Sequence, residues 1–346
     1  MRGGGGAERP ASGFLGARAP DWDLAPAGPG RRAGRLEVGG RDGTIADMSA
    51  RPKKLAVVLH RLKGQAWSEI VRRDIESALA GAALAGAPAI EVEFADPRGS
   101  SSEQIAVLER CLEPRVDALI LMPIDPPATF PVLRKLKRAG VPVIVVGNEV
   151  EDPALFDACV LGHHRQFGKE AGEFFASATD GEGDLVEIAG IAVSPITRDR
   201  SAGFKEALAP YPHLRIVDAC HGNWLYEKAL QEFPRLLDRH PRLDGVFAHN
   251  DEMAAAVLEV ARGRGREEEL LVVGIDALPS AIKLVNEGRQ AATFLYPSPG
   301  KDAVYALQAI LNGEPCMKQV LLKTWPYHSN TRIRAWKEQR ARRPRA

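Results

Sequence analysis

Between residues 55 and 148, short and mostly apolar runs alternate with stretches whose apolar positions recur at helical spacing. "LAVVL" (55–59) is continuous and apolar, the pattern of a strand covered on both faces in a parallel sheet. A helix is predicted over 68–85, because Ile70, Val71, Ile75, Ala78, Leu79 and Ala82 fall on one face. "IEVEFAD" (90–96) follows, then a helix near 102–112, "DALILMPID" (117–125), a helix near 128–139 and "PVIVVGN" (142–148). Strands alternating with helices in this way predict a doubly wound parallel sheet.

The same order then repeats. "DLVEIAG" (184–190), "LRIVDAC" (214–220), "DGVFAHN" (244–250) and "LLVVGID" (270–276) read as strands. Helices are predicted after them near 197–208, 226–238, 252–262 and 278–287. "AATFLY" (291–296) adds a strand and "DAVYALQAIL" (302–311) a last helix. The fold class expected is therefore α/β, with two similar doubly wound parallel-sheet domains. Ligands of open parallel sheets sit beyond the carboxyl ends of the strands, so two such sheets predict an interdomain cleft. His60, Asp96, Asp125, Gly147 and Asn148 stand at those ends in the first half. Arg198, Trp224, Asn250 and Asp276 do so in the second, joined by Tyr296.

Composition narrows the classes. The chain has 346 residues, 45% of them apolar and 26% charged, as in ordinary globular proteins. A formal net charge of +1 offers no bulk field for nucleic acid, and no apolar run approaches the ~20 residues of a membrane span. Residues 1–47 hold 12 of the 33 glycines and four prolines without hydrophobic periodicity. Residues 1–52 are thus expected to be a disordered tail or a start placed too far upstream, with Met48 as the alternative start. That segment shows no secretory core of about 7–15 apolar residues, which favours the cytoplasm. Cys111, Cys159, Cys220 and Cys316 form no CxxC and are expected to be buried small hydrophobes. Adjacent His163 and His164 would point to opposite sides of an extended segment, so no metal site is expected there. No phosphate loop of Walker type, GxSxG elbow or HExxH occurs, and neither a cofactor nor a metal is expected. The C-terminal "TRIRAWKEQRARRPRA" carries seven basic residues and one acid, and reads as a solvated tail.

The strand-end groups are chemically complementary. Arg198, in "SPITRDRSAGF", has a planar fork of donors suited to vicinal hydroxyls or a carboxylate. Ionised Asp276 only accepts, Asn250 does both, and Trp67 and Trp224 can cover the apolar faces of a small ring. Together they describe a carbohydrate or polyol site. Each also has a plainer explanation: Asp276 as a turn residue, Arg198 paired to a neighbouring carboxylate, Trp224 as core. Asn250 in "FAHNDEMAAA" could face the cleft or cap a helix, and Asp251 is read as the cap rather than a ligand contact.

"VFAHNDEMAAAVL", "VVGIDALPSAIKLVNEGRQAAT" and "TRDRSAGF" resemble the ribose-type periplasmic binding proteins, whose fold is shared by the effector domains of LacI-type repressors. The resemblance runs from about residue 53 to 324. It implies a first lobe of 53–162 plus 297–322, a second of 163–296, and a crossover with basic tail over 323–346. A three-segment hinge would lie near Gly162, Tyr296–Pro297 and Leu321–Lys323. It places the family's ligand residues on Arg198, Trp224, Asn250 and Asp276, with Asp251 and Glu252 opening the helix after Asn250. The first half departs from the family pattern. Gly147-Asn148 replaces an Asp-Arg pair, "KGQAW" keeps only Trp67 of an aromatic loop, His60 replaces a small polar residue, and Tyr296 replaces a Gln. The implied function is a monomeric, non-enzymatic solute-binding protein holding a sugar, polyol or nucleoside-like molecule. An ABC permease or a sensor protein would read its closed form. The resemblance implies the cell envelope, against the cytoplasm suggested by the N-terminal segment. The competing readings are a LacI-type effector domain without its own DNA-binding domain and a cytoplasmic signalling partner.

Overall fold

The computed structural model describes residues 52–342, so the expectations for the N-terminal segment up to Arg51 lie outside the described residues. The first sheet-forming unit runs β1 (Lys53–Val58), α1 (Ala66–Leu84), β2 (Ile90–Ala95), α2 (Ser101–Arg110), β3 (Ala118–Leu121), α3 (Pro126–Arg138), β4 (Val143–Gly147) and β5 (Ala158–Gly162). The second runs α4 (His164–Ala178), β6 (Glu182–Ala189), α5 (Pro195–Leu208), β7 (His213–His221), α6 (Tyr226–Arg239), β8 (Gly245–Ala248), α7 (Asp251–Gly263), β9 (Leu271–Asp276), α8 (Pro279–Asn286) and β10 (Ala292–Leu295). Then come α9 (Gly300–Asn312), β11 (Gln319–Leu322), β12 (Pro326–His328) and α10 (Asn330–Arg342).

Two six-stranded sheets result, in the orders β11-β5-β4-β3-β1-β2 and β12-β10-β9-β8-β6-β7. The central strands are buried at every position, as in β3 and β4, so their unbroken apolar character follows from helices on both faces. The chain passes from the first sheet to the second after β5, returns after β10, and leaves again after β11. This is the three-segment connection of two α/β lobes. Helices α3, α5 and α8 begin with a proline in the first turn, where its missing N–H costs nothing.

Several elements go beyond the sequence reading. β5 and α4 were not foreseen, although both are deeply buried, α4 through Phe167, Phe174 and Phe175. α4 lies so close to α5 that a Cβ on Gly168 would meet the Arg200 carbonyl oxygen at 1.9 Å. Any side chain at that glycine would push the two helices apart. As far as residue 342 the C-terminal segment is not a solvated tail, and the reading of 323–342 as crossover and tail is corrected here. β12 pairs antiparallel with β10, and α10 lies on the second lobe. Ile333 and Trp336 are buried, the Trp336 indole donates to the Glu269 carbonyl at 2.9 Å, and Arg332 donates to Leu270 O at 2.8 Å. Three inward side chains suffice to seat a helix whose remaining residues are basic. Cys111 and Cys159 are buried as expected of small hydrophobes, but Cys220 and Cys316 are partly exposed.

Candidate functional site

A cavity lies between the lobes at the carboxyl ends of both sheets, with about 460 Å³ of space between its walls when the solvent at its mouth is included. His60 and Met122 line it from the ends of β1 and β3, Asn148 from the end of β4, and Gln65 and Trp67 from the start of α1. Ile124 follows β3. From the second lobe come Ile191, Ser194, Ile196 and Arg200 around the start of α5, with Trp224, Asn250 and Asp276 after β7, β8 and β9. Tyr296 enters from the hinge segment after β10.

Of the eleven candidates named from the sequence, seven line this cavity, whereas Asp96, Asp125, Gly147 and Arg198 do not. Two residues along a helix turn the side chain by about 200°, so Arg198 and Arg200 face opposite ways on α5. Arg198 is exposed and paired with Asp199 at 2.8 Å, whereas Arg200 is 2% exposed. The helical phase carried the signal: Ile196 and Phe204, four residues either side of Arg200, are both buried.

Arg200 sits among three rings, its guanidinium carbon 5.3 Å from the Trp224 centroid, 5.7 Å from Tyr296 and 5.9 Å from Phe167. Nη1 donates to the His249 carbonyl, while Nε has no partner among the described residues. Burial pulls its pKa below the ordinary arginine value, opposed by the nearby Asp276 charge. His249 is fixed from below. Its Nε2 lies 2.7 Å from Glu187 Oε1, which also accepts from Ser201 Oγ at 2.6 Å. Gly190 N–H reaches His249 Nδ1 at 3.4 Å, so Nε2 carries the hydrogen and donates to Glu187.

Asp276 closes β9 with its backbone at φ 122°, and Ala277 follows at φ 52°. Such conformations are costly for residues with a Cβ and gather at functional sites. Its carboxylate accepts no hydrogen bond among the described residues. Burial raises its pKa well above the usual carboxylate range, against the lowering pull of Arg200. Asn250 is both cap and cavity wall. Its Oδ1 accepts from Met253 N at 3.0 Å, and its Nδ2 donates to Trp224 O at 3.2 Å. The cap of α7 is therefore Asn250 and not Asp251, whose buried carboxylate accepts from Leu278 N, Gln290 Nε2 and Thr293 Oγ1.

On the first-lobe side, His60 Nδ1 stands 2.8 Å from Met122 Sδ. A thioether only accepts, so Nδ1 carries the hydrogen and the unpartnered, buried Nε2 is left as an acceptor. Burial lowers the His60 pKa to about 4 and keeps the ring neutral. Trp67 stacks on Tyr296 at 4.6 Å and 14°, and its Nε1 donates to Tyr296 O at 3.2 Å. Asn148 Oδ1 accepts from Ser194 Oγ and Ile196 N, both at 3.1 Å, and its Nδ2 donates to Pro123 O at 2.6 Å. Asn148 thus ties the lobes together through its carbonyl oxygen. Ala66 N–H adds a second tie, to Glu252 Oε1 at 3.1 Å. Asp96 accepts from Leu62 N and Lys63 N of the loop after β1, and Asp125 caps α3 through Ala128 N, so neither lines the cavity. His164 is buried against Tyr296 and Phe167. Among the described residues no group of three potential ligands could hold a metal ion, and no helix is long and apolar enough to cross a membrane.

The family model described as periplasmic binding protein domain matches residues 55–315. A D-ribose/D-allose-binding protein of Pseudomonas aeruginosa is 30% identical over 217 residues, covering 61% of this chain and 67% of that protein. A ribose import binding protein of Bacillus subtilis is 28% identical, covering 67% and 75%. Among solved structures, the fructose-binding periplasmic domain of a hybrid two-component system superposes with a TM-score of 0.74 at 25% identity, covering 84% of this chain and 95% of that one.

Proposed function

The chain belongs to the periplasmic binding protein domain family, and we propose that it holds a small sugar or sugar-like ligand on Arg200, Asp276, Asn250 and Trp224. The activity is binding without chemical conversion, in line with sugar-binding relatives. The observation that carries the residue assignment is that Arg200 and Asp276, both buried, line one cavity between the two lobes. An arginine Nε, a carboxylate and the Tyr296 hydroxyl all stand there without a hydrogen-bond partner among the described residues. Unpaired buried groups cost free energy, and a ligand carrying hydroxyls would satisfy them.

Ligand contacts to both lobes favour the closed arrangement over an open one. Asn148 supports closure directly, through Ser194 and Ile196 of the second lobe. The closed form is read by an ABC permease or by a sensor protein. A thermal-shift screen over sugars, polyols and nucleosides identifies ligands, since binding to the native state raises the melting temperature. Solution scattering with the best of them should show a smaller radius of gyration, and mass spectrometry an unaltered ligand. Asn148→Ala should shift the saturated protein back towards the open form. A blank screen, or catalytic conversion of the ligand, would sink this reading.

A further inference from the structure

The cavity's unpaired polar groups are not spread evenly around it. Arg200, its Nε unpartnered, has its guanidinium carbon 5.7 Å from the centroid of the Tyr296 ring, whose hydroxyl is also unpartnered, and Asp276 lines the same cavity. The first-lobe wall offers little in return. Asn148 Oδ1 accepts two hydrogen bonds from the second lobe, one Nδ2 hydrogen is held by Pro123 O, and the Trp67 N–H is bonded to Tyr296 O. Position 147 can contribute nothing, because Gly147 has φ +75° and a Cβ there would lie 2.4 Å from Met122 Cε. The Met122 thioether thus fills the place where a polar side chain on β4 would begin. Met122 and Ile124 are 1% and 2% exposed, and Ile196 faces the same cavity from the second lobe. The polar groups that remain on this side, His60 Nε2 and the Gln65 amide, whose Oε1 accepts from Ser68 Oγ at 3.0 Å, stand at the end of β1 and the start of α1 and not on the Met122–Ile124 stretch.

A hydroxyl directed at Met122 and Ile124 would lose its water against two apolar side chains, whereas a methyl group or bare ring carbon would lose nothing there. We propose that the ligand is a deoxy sugar, a single ring whose adjacent hydroxyls meet Arg200 and Asp276 and whose deoxygenated carbon lies against Met122 and Ile124. This rests on the solute-binding reading of the same cavity and specifies its ligand class.

The test is calorimetry on the full chain with three matched pairs: D-fucose and D-galactose, L-rhamnose and L-mannose, 5-deoxy-D-ribose and D-ribose. Within each pair only one hydroxyl differs. The deoxy member of at least one pair should bind about 10–100-fold tighter, the range over which an apolar pocket discriminates such analogues. Met122→Gln should bring that ratio towards unity by supplying an amide to the wall. Ile124→Thr serves the same purpose if the first variant does not fold, as judged by its melting transition. Binding in which each hydroxylated parent equals or exceeds its deoxy partner would overturn the proposal and leave the solute-binding reading standing. No binding by any of the six sugars would also overturn it, whereas the broader reading falls only if the wider screen is blank.

Discussion

Replacing Arg200 by methionine separates ligand recognition from folding at one position. Methionine keeps much of the length that packs among Phe167, Trp224 and Tyr296, but removes the charge and the donor to the His249 carbonyl. Loss of a charged hydrogen-bonding partner costs about 1.5–3 kcal/mol of binding, roughly 10–150-fold in Kd. Folding responds differently. Exchanging a buried ionic group for a well-packed apolar one is about neutral or stabilising by up to ~4 kcal/mol, while the carbonyl left without its donor costs about 1–3 kcal/mol. Asp276 loses the neighbouring charge that lowers its pKa, leaving burial to push it further up and favour the neutral carboxyl. These terms oppose one another, so the melting temperature should move little while affinity falls. Arg198→Ala is the control, since its side chain is 62% exposed and its pairing with Asp199 lies on the surface. An exposed pair contributes about 0–1 kcal/mol, and binding should not change. Calorimetry with the best ligand from the screen and thermal unfolding of both variants would decide. The reasoning fails if Arg198→Ala weakens binding more than Arg200→Met, or if Arg200→Met binds like the parent.

Two further outcomes are expected. Trp336→Ala should destabilise the protein by about 3–5 kcal/mol, the cost of truncating a buried tryptophan, because its indole is 1% exposed and bonded to Glu269 O; a melting temperature within a degree of the parent would return α10 to the status of a tail. Burial raises the Glu252 pKa from 4.5 to about 7, so the folded protein holds that proton more tightly than the unfolded chain does. Its contribution to stability is therefore intact below about pH 4.5, is lost as pH rises to about 7, and is constant above. Denaturant unfolding of the parent and of Glu252→Gln at several pH values should show the parent losing ground to the variant across that window, and a constant difference would contradict the assignment.

How far the site was legible before the structure depended on which constraint acted on each residue. Strands covered by helices on both faces must be apolar throughout, so the alternating order of the two lobes stood in the chain itself. Candidates at strand ends follow from that order, which is why His60, Trp224, Asn250, Asp276 and Tyr296 could be named as neighbours of one cleft. β5 escaped notice although "ACVLG" is buried along its length, because a short apolar run alone does not separate a strand from buried coil. α10 escaped because a mostly basic segment gives little sign that Ile333 and Trp336 have somewhere to go.

The motif contains both Arg198 and Arg200, and although the apolar Ile196 and Phe204 set the phase that turns Arg200 inward, the tertiary structure alone brought that inward face to Phe167, Trp224 and Tyr296. Only it could show that Asn148 and Trp67, polar groups at the right place, already have partners in the other lobe and the hinge. Sequence periodicity reports which face of an element is buried, through a free energy that each residue contributes locally. Hydrogen-bond saturation depends on atoms far apart in the chain meeting within about 3 Å, and that is decided only when the two lobes come together.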